Sequence, residues 1–330
     1  MKKKLNLQLF DGVTNATTSN TSGNDLTPEM KTYYSKYLIK NAKKNLVHDQ
    51  FGQKHPIPKN GGKSIEFRKY SPLSKATTPL TEGVTPDGSP LNVSTVTSTV
   101  KQYGNWIPLT DMLLLTAIDN NMVQALDILG NNAGETLDTV TREVLNGGTV
   151  VQYAEGQVSA RNLLTAEHKI SVKAIKLAVR QLKKQGAQKI NGAYIGIINQ
   201  DISFDLTEDD EWKEMNKYTT PELAFEGEIG MIAGVRFVET SEAKIFAKAG
   251  ASGRDVYSTL ILGANAYGVT EVEGGGLKTI VKQLGSGGTS DPLDQRATAG
   301  WKATKTAERL VEQFMVRIET CSTFNDGKEN

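Results

Sequence analysis

The stretch PLTEGVTPDGSPLNVSTVTSTVKQYGNW, residues 79–106, decides how this chain is read. Its first half holds Thr85-Pro86-Asp87-Gly88-Ser89-Pro90, a turn-forming run in which Pro presets φ and Gly accepts the conformations other residues avoid. Its second half is β-branched: Val93, Thr95, Val96, Thr97, Thr99 and Val100 suit an extended strand. Few of these side chains could fill a core. Upstream, Ile65 and Phe67 alternate with Ser64, Glu66 and Arg68, the pattern of a half-exposed strand. Pro72, Pro79, Pro86 and Pro90 exclude a helix between the two strands. Residues 63–106 therefore read as one long hairpin. A lone hairpin is marginal in water, so this one must rest on something outside its own core.

Working outward, the next segment is helical. Leu115, Ile118, Met122, Leu126, Leu129, Ala133, Leu137, Val140 and Val144 recur at spacings of three and four, an unbroken apolar stripe. Thr110 or Asp111 can cap its start and Gly147-Gly148 ends it. A helix over 109–146 would be about 50 Å long at ~1.5 Å per residue. The stripe lacks regular charge pairs beside it, which favours a helix lying across a sheet over a coiled coil. Gly130 and Gly134 are expected to bend it. Beyond residue 149 the pattern shortens. SVKAIKLAVRQLKKQ, residues 171–185, is an amphipathic helix with Ser171 as its cap. AYIGIIN, residues 193–199, is a buried strand, and 201–216 reads as a helix. GEIGMIAGVRFVET places two strands around Ala233-Gly234, and 258–262 adds another. Gly-rich loops are read at 274–276 and 285–288. The tail alternates, with Ala297, Ala299 and Trp301 on one face of a strand and Phe314, Val316 and Ile318 on one face of the last.

Composition narrows the function. Lys plus Arg number 38 against 37 Asp plus Glu, a net charge of +1, so nothing global draws the chain to a polyanion. Cys321 is the only cysteine, which rules out an internal disulfide and a thiolate metal cluster. The start MKKKLNLQLF is charged like a signal peptide, but its apolar run is short and broken by Asn6 and Gln8. No stretch approaches the ~20 apolar residues of a membrane span. Residues 11–27 are rich in Asn, Thr, Ser and Gly and are expected to be mobile or extended on their own, followed by a short helix over about 28–47.

A search for chemistry returns little. His48, His55 and His168 lack the spacing of a metal pair. Cys321 has no neighbouring base and reads as a structural thiol. The loop Gly285-Ser286-Gly287-Gly288 lacks the Lys-Ser/Thr of a phosphate cradle. Glu208-Asp209-Asp210-Glu211 and the basic run from Lys173 to Lys184 read as solvated faces. No catalytic residue, cofactor or metal is expected.

What remains is an order of parts: a polar arm, a projecting hairpin, a long helix, an α/β unit and a closing hairpin. FRKYSPL followed by a Thr-rich loop, VKQYGNWIPLTDML, AGETLDTVTREVLNGGT, EGEIGMIAGVRFVETSEAKIF and DQRATAGWKATKTAERLVEQFMVRIE stand in the order seen in the phage N-four-like major capsid family. The opening LNLQLFDG resembles many capsid proteins from phages of Gram-positive hosts. The resemblance covers about residues 5–319 and implies the α+β Hong Kong 97-like fold of tailed-phage capsids. It implies an N-terminal arm over 1–57, an extended loop over 58–108, a peripheral domain over 109–165 and 290–330, and an axial domain over 166–289. It further implies a major capsid protein whose hexamers and pentamers form an icosahedral head around double-stranded DNA, assembled in the bacterial cytoplasm, without sequence-specific binding and without a membrane. Scaffolding would be a separate protein or lacking, and any portal and decoration proteins would be separate partners. In such shells the extended loop lies across the adjacent subunit, which would explain why the hairpin buries so little of itself. Arg68, Lys69, Lys75, Glu82, Asp87, Arg296 and Glu308 are expected at contacts between subunits. Some relatives join subunits through a Lys-to-Asn bond; Lys69 and Lys75 lie in the hairpin, but that chemistry is not expected here. The core is expected from Leu115, Ile118, Met122, Leu126, Leu129, Leu137, Val140, Trp301, Phe314, Val316 and Ile318. Other readings are an encapsulin-like compartment with a cargo enzyme, an enzyme with an α/β domain, and a secreted adhesive protein.

Overall fold

The structure is a computed structural model of the chain. It describes residues 18–19, 25–26, 35–36, 38–42, 46–58, 62–70, 73, 75–80, 82–83, 85, 87–116, 120–216, 230–270, 275–287 and 291–330. The chain divides into two compact units. One comprises Met1–Asn45, Tyr103–Gly134 and Leu277–Ala303; the other comprises Leu46–Gln102, Glu135–Gly276 and Thr304–Asn330. Among the described residues, three elements pass from one unit into the other: the strand Lys101–Thr110, the helix Asn121–Asn146 and the strand Arg296–Arg309.

The larger unit is built on a mixed sheet. Its strands lie in the order Val151–Tyr153, Met315–Thr320, Val256–Leu262, Tyr194–Ile198, Val235–Glu239, Met231–Ile232. The central strands Tyr194–Ile198 and Val256–Leu262 are buried at every residue, which is why they read as continuous apolar runs. The helix Val172–Lys184 packs Val172, Ile175, Val179 and Leu182 into the same core as Ile198, Ile202, Val316 and Ile318. Ser171 caps it, its hydroxyl accepting from the Ala174 N–H at 3.1 Å, and Gly186 leaves it with φ +74°. Ala233 and Gly234, both at positive φ, make the two-residue hairpin turn expected there. The segment expected as one helix over 201–216 is two, Gln200–Thr207 and Asp210–Asn216. Asp209 sits between them, taking the Val172 N–H at 3.1 Å and the Glu211 N–H at 2.8 Å, so its side chain competes with the helical backbone.

A buried polar cluster fixes residues 46–49 in this unit. His48 and Asp138 are both fully buried. The His48 N–H donates to Asp138 Oδ1 at 2.7 Å and its ring Nδ1 stands 2.6 Å from Oδ2. Asp49 accepts from Thr141 Oγ1 at 2.5 Å and pairs with Lys305, while the Tyr267 hydroxyl donates to the His48 carbonyl. The C-terminal strand is held by a second ionic set: Arg161 grips the buried Glu319 through two 2.7 Å bonds and lies over the Phe246 ring.

The smaller unit sets the helix against a sheet. Met122, Leu126, Leu129 and Ala133 face inward, and Trp301 is 3% exposed, its indole N–H donating to Asn132 of the helix at 3.2 Å. Gly130 answers a packing need. A Cβ there would lie 3.0 Å from the Leu38 carbonyl, so the glycine admits the helical residues 38–42 at close range.

Three expectations are corrected. The long helix begins at Asn121 and has 26 residues, about 39 Å, rather than spanning 109–146. Asn120 accepts from the Val123 N–H and starts it, while Asp111–Thr116 is a separate helix with no buried residue. Leu115, expected in the core, is accordingly 77% exposed. Ile118 lies outside the described residues. Val140 is half-buried, and Phe314, also half-buried, belongs to the 3-10 turn Glu312–Phe314 ahead of the last strand. Finally, the hairpin ends at Val100: Ser64–Tyr70 pairs antiparallel with Val93–Thr99, but Lys101–Thr110 pairs with Arg296–Arg309 instead.

Candidate functional site

The described residues offer little for chemistry. They contain no group of His, Cys, Asp and Glu able to hold a metal ion, and no helix long and apolar enough to cross a membrane. His48 is locked against Asp138. His168 Nδ1 accepts from the Thr165 N–H at 2.9 Å, a local turn. Cys321 is buried and burial pushes its thiol up to about 11, the opposite of what a nucleophile needs. The informative features are surfaces, one in each unit.

The first is the hairpin of the larger unit. Register pairs Phe67 with Val96 and Arg68 with Thr95. Only its root is anchored. Phe67 is 8% exposed, lies edge-on to His55 with ring centroids 5.7 Å apart, and covers Gly268, where a Cβ would come within 2.8 Å of the Phe67 ring. Ser98, also buried, shares a 2.8 Å hydrogen bond with Thr306. Beyond the root every described residue from 73 to 95 is exposed, with Leu80 and Leu91 the most open of its large apolar side chains. Lys75, Glu82 and Asp87 lie on this exposed end, Arg68 is exposed beside the root, and Lys69 sits opposite Ser94.

The second surface is the outer face of the smaller unit's sheet. Lys278–Lys282 pairs antiparallel with Arg296–Arg309, placing Lys278 opposite Lys302, Ile280 opposite Gly300 and Lys282 opposite Thr298. Directly opposed residues share a face. Since Trp301 and Ala299 point inward, Lys278, Ile280, Lys282, Arg296 and Lys302 point outward, and all five are exposed. Trp106, 62% exposed, stands beside Gly300, which must be glycine because a Cβ there would meet the Trp106 Cβ at 2.9 Å. Trp106, Ile280, Arg296, Asp291 and Trp301 line a cleft of about 470 Å³. Glu308 belongs to the other unit, half-buried opposite Gly268. Of the expected site residues, the structure thus groups Lys75, Glu82 and Asp87 on one projection and sets Arg296 on a different surface.

Sequence reasoning missed Lys278, Lys282, Lys302 and Trp106. The segment between the two Gly-rich loops was not read as a strand, although the alternation Lys278-Thr279-Ile280-Val281-Lys282 is the period-2 signal of one exposed face.

The comparisons bear on what such surfaces serve. A family model described as "Phage capsid protein" matches residues 93–307, more than half of the chain. No curated protein sequence matches. Among solved structures, the capsid of Ralstonia phage GP4 aligns with TM-score 0.66 and 13% identity, covering 86% of this chain and 90% of that one. The capsid of cyanophage P-SCSP1u aligns with TM-score 0.65 and 13% identity, covering 84% and 89%. The capsid of cyanophage Pam1 gives TM-score 0.65 and 13% identity, covering 80% and 86%. At these identities the structures establish the fold.

Proposed function

From the premise that this chain belongs to the phage capsid protein family, we propose that its hairpin and arm are the parts that join one copy to the next in hexamers and pentamers. It is a major capsid protein with the α+β Hong Kong 97-like fold, and its copies form a capsid shell. In the proposed division of labour, residues 1–57 are the arm, 58–108 the extended loop, 109–165 with 290–330 the peripheral domain, and 166–289 the axial domain. The head encloses double-stranded DNA and is assembled in the bacterial cytoplasm; any scaffolding, portal and decoration proteins are separate chains. The contribution of this chain is mechanical, with no catalytic step. A cargo-holding compartment is the weaker reading, because the matching family is that of phage capsids.

One observation carries the joining role: a hairpin anchored at Phe67 and Ser98 and exposed at every described residue from 73 to 95. A two-stranded ribbon does not hold its shape alone in water, and exposed edges pair with other chains unless covered. Interfaces between obligate partners commonly bury ~2,000–5,000 Å², and a projecting ribbon adds area toward that scale. Deleting residues 76–90 tests it. The variant should remain soluble and folded but yield no closed particles by electron microscopy; normal particles would exclude the hairpin from joining copies.

A further inference from the structure

The helix Val172–Lys184 of the larger unit carries two stripes. Its apolar stripe lies in the core. On the other side Lys173, Lys176, Arg180 and Lys183 recur at spacings of three and four, with Lys184 beside the last and Lys189 in the turn beyond, all of them exposed. Residues 168–200 hold seven Lys and Arg and no Asp or Glu, in a chain whose net charge is only +1. Acids from other elements neutralise the start of this run: Lys173 pairs with Glu155 at 2.6 Å, Lys176 pairs with Glu211, and Lys169 lies 3.9 Å from the buried Asp205. Its end is left bare. Arg180, Lys183, Lys184 and Lys189 form no ion pair among the described residues, not even with Glu214, one turn beyond Glu211 on the helix Asp210–Asn216. Ala187 and Tyr194 pack in the same cluster as Leu182, and Lys189 lies 6.0 Å from the Tyr194 ring, which sets it at the same end of the helix.

The helix itself explains only part of this. Lys183 and Lys184, in its last turn, complement the helix dipole. Arg180 stands before that turn and Lys189 outside the helix, and like charges three and four residues apart destabilise it. The surroundings are polar throughout: Gln181, Gln185 and Gln188 stand between the cations, and no large apolar side chain is exposed among the described residues from 164 to 203. A protein partner would find no apolar centre here, whereas a polyanion needs none.

We propose that this end of the helix is a sequence-independent contact for the phosphate backbone of duplex DNA. The inference rests on the reading that the head encloses double-stranded DNA, and it names the surface that meets the duplex. Arg180 to Lys184 covers about 6 Å of axis at ~1.5 Å per residue, close to two phosphate steps of a duplex strand at ~3.4 Å each, so neighbouring phosphates are met together. Contacts of this kind set position and carry no sequence information. A local patch also reconciles binding with the near-neutral charge of the whole chain.

The test uses the full chain and a short fluorescent duplex. Binding followed by anisotropy should weaken about a hundredfold between about 50 and about 200 mM salt, as four neutralised phosphates require at a slope of about −0.9 each. Each of R180Q, K183Q, K184Q and K189Q should lower that slope by about one, and to the same extent on duplexes of unrelated sequence. The fourfold variant should lose binding while keeping its circular dichroism, whereas K183R/K184R/K189R should bind as the wild type does. In assembled shells, acetylation by an amine-reactive ester should be severalfold slower at Lys183, Lys184 and Lys189 when DNA is inside than after it is removed. The proposal is overturned if the duplex does not bind, if the fourfold variant binds normally, or if the three lysines react equally in filled and emptied shells. A polyglutamate that binds more tightly than the duplex overturns it in favour of an acidic protein. A fourfold variant altered only in its unfolding temperature overturns it in favour of cations that serve the helix end alone. Shells that never hold duplex DNA remove the head reading and the proposal with it; filled shells with equal acetylation remove this contact alone.

Discussion

Replacing Phe67 with Ala should release the hairpin without unfolding the unit that carries it. Phe67 is the only large side chain of the strand Ser64–Tyr70 shown buried, and its ring covers Gly268 with the His55 ring edge-on to it. Burying a phenylalanine contributes about 1.5–3 kcal/mol, and an edge-to-face ring pair adds about 0.5–1.5 kcal/mol. Loss of both removes about 2–4.5 kcal/mol from docking of the root. At ~1.4 kcal/mol per tenfold, the undocked population rises between about thirtyfold and about a thousandfold. A ribbon freed from its support loses its ladder. Amide hydrogen exchange over 64–70 and 93–99 should therefore quicken by that factor, because exchange follows the free energy of local opening. The central strands Tyr194–Ile198 and Val256–Leu262 make no use of Phe67 and should keep their protection. Unchanged exchange in the hairpin would refute the anchoring argument. Equal acceleration in the central strands would show instead that Phe67 supports the whole unit.

Three further outcomes are expected. Asp138→Ala strands two buried donors, the His48 N–H and its ring nitrogen, at about 1–3 kcal/mol each; thermal unfolding should fall by roughly 5–20 °C at ~2–4 °C per kcal/mol, with Asp138→Asn recovering part of the loss. Glu155 is held below the ordinary carboxylate value by hydrogen bonds from Lys173 and then Ser171. Its contribution is thus present above the unfolded value of 4.5 and lost as pH falls through the lower folded value; Glu155→Gln should cost about 1 kcal/mol at neutral pH and nothing in strong acid, checked by denaturant melts across pH. Cys321, its thiol raised to about 11 by burial, should resist iodoacetamide at pH 8 in the native chain and react only on unfolding; rapid native labelling would contradict the burial.

The elements legible in the sequence are those whose partners are close along the chain. Val172–Lys184 carries its own cap, stripe and terminating glycine, and the buried run Tyr194–Ile198 lies one turn away. The turn at Ala233-Gly234 is equally local. Illegible elements depend on distant partners. Lys101–Thr110 continues the hairpin in sequence, yet it leaves at Val100 to pair with Arg296–Arg309, a choice no local pattern encodes. Lys278–Lys282 looks like loop between glycine-rich stretches until the long strand supplies its partner. The helix start was misplaced because Leu115 falls in phase with Met122 and Leu126, so periodicity ran straight across the cap at Asn120.

The exposed apolar side chains ahead of Asn120 bear on function. Periodicity reports that a side chain is patterned for burial, but not which molecule buries it. On the helix Asp111–Thr116, Leu115 is 77% exposed, although apolar spacing marks it as interior, and its neighbour Met112 is 62% exposed. The hairpin presents the converse: a segment with no interior pattern that the fold nonetheless projects into solvent. Leu80, Leu91, Trp106, Ile280 and Leu293 belong with Met112 and Leu115, large apolar groups left open in the single chain. Isolated exposed apolar residues are ordinary, but such groups gathered on projecting or flat surfaces mark contact sites. Under the proposed joining role, a mismatch between a pattern of burial and the exposure of the lone chain marks surface expected to close on assembly. The same logic separates these residues from Trp301, which is patterned for burial and buried by its own helix.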